Sequence, residues 1–389
     1  MEKIFNNTQI AFALKSDTEL DRAYFLFKMI ANEPLVRIGT AVTNFAIKAH
    51  LPVEGLIRAT VFDHFCGGIN VNDCLTVVDK MHTKDVSSIL DYSVEGKEAD
   101  EQFDAALEMT LKTIDFAADK RAIPFAVFKP TGFGRFELYE KLGEGKTLSE
   151  AEQKDWNRVV ERFEIVCKEA HRQNVALLID AEESWMQDAA DDLVIDMMRK
   201  YNKEKAIVFN TLQMYRHDRL DHLKKVHNLA KAEGFFIGMK VVRGAYMEKE
   251  NKRAEEKGYP TPICASKQAT DINYDAAVDY MLQNLDLMSI FVGTHNETSS
   301  YKVMSRINEW NLDTKDKRIY FGQLYGMSDN ISYNLAANHY NVAKYLPFGP
   351  VRDVMPYLIR RAEENTSVAG QTNRELELIK AERNRRKNK

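Results

Sequence analysis

Beyond residue 55 the chain alternates between short runs rich in β-branched and aromatic residues and longer charged stretches with apolar positions at helical spacing. The runs cover residues 60–66, 86–92, 124–129, 175–180, 206–212, 236–242, 289–294 and 318–324. Several are apolar almost throughout. Ala176-Leu177-Leu178-Ile179 is the clearest, and it suits a parallel strand buried on both faces better than an antiparallel strand with a wet side. Eight such strands alternating with helices is the count for a closed barrel. The pattern therefore predicts a distorted (β/α)8 TIM-type barrel over residues 56–370, with the helical stretch 97–123 included in it. Residues 1–55 read as a helical segment. Thr18 and Glu19 can open a helix whose stripe is Leu20, Tyr24, Leu26, Phe27, Met29 and Ile30, and that stripe suggests packing across the barrel.

Composition narrows the class without changing the fold. The 389 residues are 44% hydrophobic, ample for one large core, and a net charge of −4 favours neither nucleic acid nor an anionic membrane. Cys66, Cys74, Cys167 and Cys264 lie far apart, which reads as reduced thiols in a cytoplasm-like compartment. The N-terminus lacks the apolar stretch of a secretory signal, and no run is long enough to span a bilayer. Residues 371–389 form a basic tail in which Lys380, Arg383, Arg385, Arg386, Lys387 and Lys389 cluster. It reads as a solvated, frayed end, with peripheral contact to anionic lipid at the inner face of a membrane as the lesser reading.

In barrels of this kind the chemistry sits at the carboxy-terminal ends of the strands. Here nearly every run ends in a polar or ionisable group. Asp91 is followed by Glu95, Lys129 closes the third run, and Asp180 closes the fourth ahead of Glu182 and Glu183. Gln213 follows the fifth run, and Lys240 and Arg243 end the sixth before Gly244-Ala245-Tyr246. The last two lead into Thr294-His295-Asn296 and Gln323-Leu324-Tyr325-Gly326-Met327. Each piece alone is weak. Lys129 can snorkel or pair with a carboxylate, Asp180 can cap a helix, and His295 has no spaced partners that would make it a metal ligand. No metal site is expected. Gly67-Gly68 does not complete a dinucleotide fingerprint.

The strongest local feature lies beyond the eighth run: Tyr345, Gly349-Pro350, then a helix carrying Tyr357, Arg360, Arg361 and Glu364 on one face. Two adjacent guanidinium groups beside tyrosines can hold a carboxylate bidentately while aromatic faces enclose an apolar ring. The plainer alternative is a solvated Arg/Glu helix surface.

Together these segments, from about residue 55 to 370, resemble the proline dehydrogenase (proline oxidase) family. The resemblance implies a monofunctional flavoenzyme that uses FAD to oxidise L-proline to Δ1-pyrroline-5-carboxylate. Hydride would pass from C5 to flavin N5, and electrons would go on to a quinone. It further implies that Arg360, Arg361 and Lys129 bind the substrate carboxylate and that Asp180 orients the basic residues. Tyr246, Leu324, Tyr345 and Tyr357 would wall the ring, and Glu95 would pair with Arg360 as a gate. FAD would contact Gln213, Lys240, Arg243, Gly244, Ala245, Thr294, His295 and Asn296. Bacterial bifunctional members carry Arg and Lys where this chain has Lys240 and Arg243, so the two bases are exchanged. Tyr345 would disfavour 4-hydroxyproline, which leaves a hydroxyproline dehydrogenase as the near alternative. A Schiff-base aldolase using Lys240 or Lys129 is the distant one.

Overall fold

The computed structural model describes residues 3–32, 34, 36, 39, 54–93, 98–367 and 369–388, without the side chains at 56, 59 and 362–371. The strands are β1 (Val86–Tyr92), β2 (Phe125–Phe128), β3 (Ala176–Ile179), β4 (Val208–Gln213), β5 (Ile237–Val242), β6 (Met288–Gly293), β7 (Ile319–Leu324) and β8 (Val342–Phe348). They close into a barrel in sequence order, with helices between them. The expected (β/α)8 class is therefore what the chain adopts, with N-terminal helices at Thr8–Ala11 and Asp17–Ile30.

Two strand expectations need correction. Residues 60–65 are helical, within Arg58–Phe62 and Asp63–Phe65, and Cys66 follows as an extended cap. Their β-branched and aromatic composition is overridden by burial of Ile57, Phe62, Phe65 and Cys66 against Val354, Met355 and Leu358. The missing strand is β8. Lys344 and Pro347 interrupt its apolar pattern and hide it from a search for buried strands. Tyr345 thus lies within β8, opposite Ile89 of β1, and not beyond the last strand.

The chain divides into two compact units, Met1–Glu95 with Gln323–Lys389, and Gly96–Gly322. In the second unit the barrel interior is filled by aromatic rings. Phe125 meets Phe209, Phe291 and Tyr320 edge to face at 5.8, 5.3 and 4.9 Å between centroids. Gly322 makes room for this: a Cβ there would lie 2.1 Å from the Phe291 ring.

In the first unit, a capping box of Ser16 and Glu19 opens the helix Asp17–Ile30. Its buried Leu20, Ala23 and Phe27 pack on Leu378 and Ile379 of the helix Ala369–Lys387. The basic C-terminal cluster is therefore part of a packed helix and not a frayed end. Arg383 pairs with Asp21, and Arg385 and Arg386 pair with Glu382.

Beneath these helices lies a buried ionic knot. Lys344, with no side-chain exposure, donates to Asp329 Oδ1 and to the Met327 carbonyl at 2.7 Å each. Lys15 reaches Asp329 at 3.3 Å, and the Ser328 amide donates to Glu375. These cations hold Asp329 down at about 2 against the opposing effect of burial. Burial and the Asp329 charge push Glu375 up to about 7.

Breaking the pair on one side should be costly. Asp329→Asn should destabilise the protein by about 3–5 kcal/mol in denaturant unfolding, because the fully buried Lys344 must then hold its charge without that partner or give up its proton, at a cost either way. Glu375 binds its proton more tightly folded than unfolded, so its contribution to stability is greatest at low pH. That contribution is lost as pH rises from the ordinary glutamate range through about 7. Glu375→Gln should flatten this part of the stability–pH curve.

Candidate active site

In the second unit the strand ends carry paired charges. Lys240 lies on β5 between Thr211 of β4 and Phe291 of β6, is 6% exposed, and forms an ion pair with Asp180. Asp180 follows β3, where its amide donates to the Phe128 carbonyl at 3.0 Å. A buried ammonium needs such a partner, since an unpaired charge would be desolvated at large cost.

Arg243 follows β5. Its guanidinium donates to Asp271 at 2.7 Å and to the hydroxyls of Thr294 and Ser299 at 2.9 Å each. It also lies 4.4 Å from the centroid of the Tyr274 ring. Three of its five N–H groups are thus committed to holding it in place.

Gln213 closes β4 almost fully buried, its amide donating to the Glu182 carbonyl at 2.6 Å. Thr294 links β6 to its neighbour through its amide and the Gly322 carbonyl at 3.1 Å. Half-buried His295 follows, and Asn296 caps the helix Glu297–Glu309 by accepting from the Ser299 amide. Gly244 and Ala245 are exposed, and half-buried Tyr246 precedes the helix Met247–Lys257. Lys129, also half-buried, precedes the 3-10 turn Pro130–Gly132. Glu182 sits within reach of that turn: Thr131 donates to its carboxyl through its amide at 3.0 Å and its hydroxyl at 2.7 Å. Burial pushes Glu182 up to about 7, although the Lys129 charge pulls the other way.

The first unit carries its own set. Tyr345 is buried on β8, and its carbonyl accepts from the Tyr325 amide at 2.8 Å, just beyond Leu324 at the end of β7. On the helix Val351–Ser367, Arg361 is 9% exposed with its guanidinium 5.3 Å from the Tyr357 ring, and Arg360 is half-buried. The buried Asp91 carboxylate accepts from Ser93 at 2.7 Å. Glu95, expected as a gate, lies outside the described residues, as does the Glu364 side chain.

The expected site residues thus associate as Asp180 with Lys240, Arg243 with Thr294, and Tyr357 with Arg361. Reasoning from the sequence assigned nothing to Asp271, Ser299 or Tyr274, which fix Arg243 from helices far along the chain. No local signal marks them. Glu182 stood in a noticed acidic run and was given no role. Among the described residues no cluster of His, Cys, Asp and Glu could hold a metal. The set at the ends of β4, β5 and β6 has different chemistry. It comprises two clamped cations, a buried amide, a hydroxyl and the start of a 13-residue helix, donors suited to an anionic cofactor with phosphate groups.

Comparison with known proteins agrees with the architecture. The proline dehydrogenase family profile matches residues 74–374. The carbapenem antibiotics biosynthesis protein CarD of Pectobacterium carotovorum is 36% identical over 362 residues, covering 92% of this chain and 94% of CarD. Human mitochondrial proline dehydrogenase 1 is 41% identical over 235 residues, covering 60% of this chain and 39% of the human protein. Proline utilization A of Bdellovibrio bacteriovorus superposes with a TM-score of 0.71 at 18% identity, over 94% of this chain and 37% of that one. The chain therefore spans well under half the length of the human and Bdellovibrio proteins.

The loop after β5 has little tolerance. Gly244 has φ +130°, and a Cβ there would lie 2.5 Å from the Tyr215 ring. Gly244→Ala should cost about 1–3 kcal/mol, measured as a lowered urea midpoint.

Proposed function

The chain belongs to the proline dehydrogenase family of oxidoreductases, and from that premise we propose that it oxidises L-proline to Δ1-pyrroline-5-carboxylate with FAD. The observation that carries most weight is the pair of clamped cations after and on β5, Lys240 held by Asp180 and Arg243 held by Asp271, Thr294 and Ser299. Rigid cations of this kind suit an anionic dinucleotide. They are poorly arranged for a Schiff-base lysine, which must approach a carbonyl unencumbered.

In this reading Gln213, Lys240, Arg243, Gly244, Ala245, Thr294, His295 and Asn296 hold the cofactor. When bound, the flavin supplies the hydride acceptor that an unactivated C–H bond requires. Arg360 and Arg361, with Lys129, bind the proline carboxylate, the arginines by forked hydrogen bonds. Tyr246, Leu324, Tyr345 and Tyr357 enclose the ring and exclude water. The cationic neighbours Lys129 and Arg361 favour the neutral amine, whose lone pair assists departure of the C5 hydride. Loss of the C5 hydride leaves an N-protonated iminium, which becomes the product imine when its N–H proton passes to solvent. Tyr345 crowds the ring and favours proline over 4-hydroxyproline. A quinone is the proposed electron acceptor. No helix among the described residues is long and apolar enough to cross a membrane.

Anaerobic L-proline should bleach the flavin band near 450 nm of the purified protein. A yellow protein that proline cannot bleach would overturn the substrate, and one that takes up no flavin would overturn the reading. Arg361→Ala should weaken proline binding by about 2–5 kcal/mol, seen as a rise in KM of about 30-fold or more. Direct competition between proline and 4-hydroxyproline separates the two family activities.

A further inference from the structure

Glu182 has no part in the mechanism above, yet it is one of the most constrained carboxyls in the second unit. Its backbone is held on both sides: its amide donates to Gln187 Oε1 at 2.9 Å, and its carbonyl accepts from Gln213 at 2.6 Å. Gln187 in turn donates to the buried Asp191, which Asn210 and Arg219 also bind. Both carboxyl oxygens of Glu182 then close on Thr131, one on its amide and one on its hydroxyl. Thr131 is the second residue after Lys129, in the turn Pro130–Gly132, whose last amide bonds back to the Lys129 carbonyl at 2.9 Å. Tyr139, fully buried, secures the same turn through the Pro130 carbonyl at 2.8 Å.

We infer that Glu182 is a positioning residue of the site, which fixes the Lys129 turn and sets, through its own charge, how strongly Lys129 attracts the substrate carboxylate. The inference rests on the reading of Lys129 as a carboxylate-binding group.

The physical basis is competition between anions for one cation. The groups that face the Glu182 carboxyl are Lys129 and Thr131 from the β2 end, its neighbour Glu183, and Tyr139 from the following helix. Glu183 is itself engaged by Lys249 at 3.0 Å. Lys129 is a cation whose field Glu182 changes on ionising. When Glu182 is protonated, its charge no longer competes with an incoming carboxylate for Lys129. When it is ionised, part of that attraction is cancelled at short range in a partly dry environment. Thr131 accommodates both forms. Its amide always donates, while its hydroxyl donates to the carboxylate or accepts from the acid.

The acid is held near neutrality, because burial raises it to about 7 against the pull of Lys129 and the Thr131 bonds. The changeover therefore falls in the working range. Glu182→Gln is the isosteric mimic of the protonated form, its amide N–H donating to the Thr131 hydroxyl. Thr131→Val removes one hydrogen bond that favours the ionised form and keeps the backbone one, so it moves the changeover to higher pH.

The test uses cyclopentanecarboxylate, a ring carboxylate with no amine to titrate, as a competitive inhibitor of proline oxidation from pH 6 to 8.5. For the wild-type holoenzyme its inhibition constant should rise roughly tenfold through about pH 7. In Glu182→Gln it should stay at the low-pH value, and in Thr131→Val the rise should shift upward in pH. A residue that merely supports the fold would lower stability in both variants and leave the pH profile in place. An unchanged profile in Glu182→Gln overturns the inference while leaving proline oxidation intact. Should that variant fail to fold, an unshifted profile in Thr131→Val overturns it equally. If the wild-type protein does not oxidise proline at all, the parent reading fails and the inference falls with it.

Discussion

Lys344 sits on a strand buried on both faces, and its ammonium can stay charged there only because Asp329 and the Met327 carbonyl meet it at 2.7 Å. That one pair dictates much of its unit. Asp329 must stand at the start of the helix Asp329–Ala337, so the chain after β7 has to turn sharply, with Ser328 at φ +51°. The strained Ser328 amide is then capped by Glu375, and Lys15 supplies the second cation for Asp329. An N-terminal segment, a loop after β7, a strand and a C-terminal helix thereby share one electrostatic solution. Hydrophobic packing of Phe27 against Leu378 and Ile379 holds the helices together. The ionic knot decides which register they take.

The second unit applies the same constraint to different ends. Lys240 and Arg243 could not lie at the mouth of a dry strand bundle without Asp180 and Asp271. Their counter-ions come from different elements, after β3 and from the helix Lys267–Leu282. Each cation is thus located by the fold and not by its own rotamer preference. A ligand arriving there meets donors already oriented, and the reorganisation that free lysine or arginine side chains would require has been done during folding. Gln213 shows the same device in neutral form, its amide turned by the Glu182 carbonyl.

Legibility in the sequence follows from the range of the forces involved. Strands such as Ala176–Ile179 could be read because burial on both faces leaves a continuous apolar run, a strictly local signature. β8 could not, because Lys344 is tolerated only through Asp329, a partner elsewhere, and Pro347 breaks the apolar run. Residues 60–66 misled in the opposite sense. Their strand-like composition gives way to helix because Phe62 and Phe65 find a groove lined by Val354 and Leu358. The polar strand ends were visible one by one, yet their pairing was not. Nothing near Arg243 in sequence announces Asp271 or Ser299. Recognition of the family supplied roles that spacing alone left open.

The buried carboxyls make the last point. Asp329 is buried, as Glu182 and Glu375 are, yet it is held down at about 2 and the other two are raised to about 7. Depth does not separate them. Partner type does. Asp329 is embraced by Lys344 and Lys15, so direct ion pairing exceeds the cost of desolvation. Glu375 is the second acid near a cation already satisfied by Asp329, and for Glu182 the Lys129 charge and the two Thr131 hydrogen bonds together do not offset burial. At Glu182 two hydrogen bonds from one threonine are too few to offset the cost of drying the carboxylate. A chain that pairs some buried acids with cations and others with hydroxyls and amides therefore divides them into fixed charges and titrating ones. In this barrel a titrating one stands beside the turn that carries Lys129.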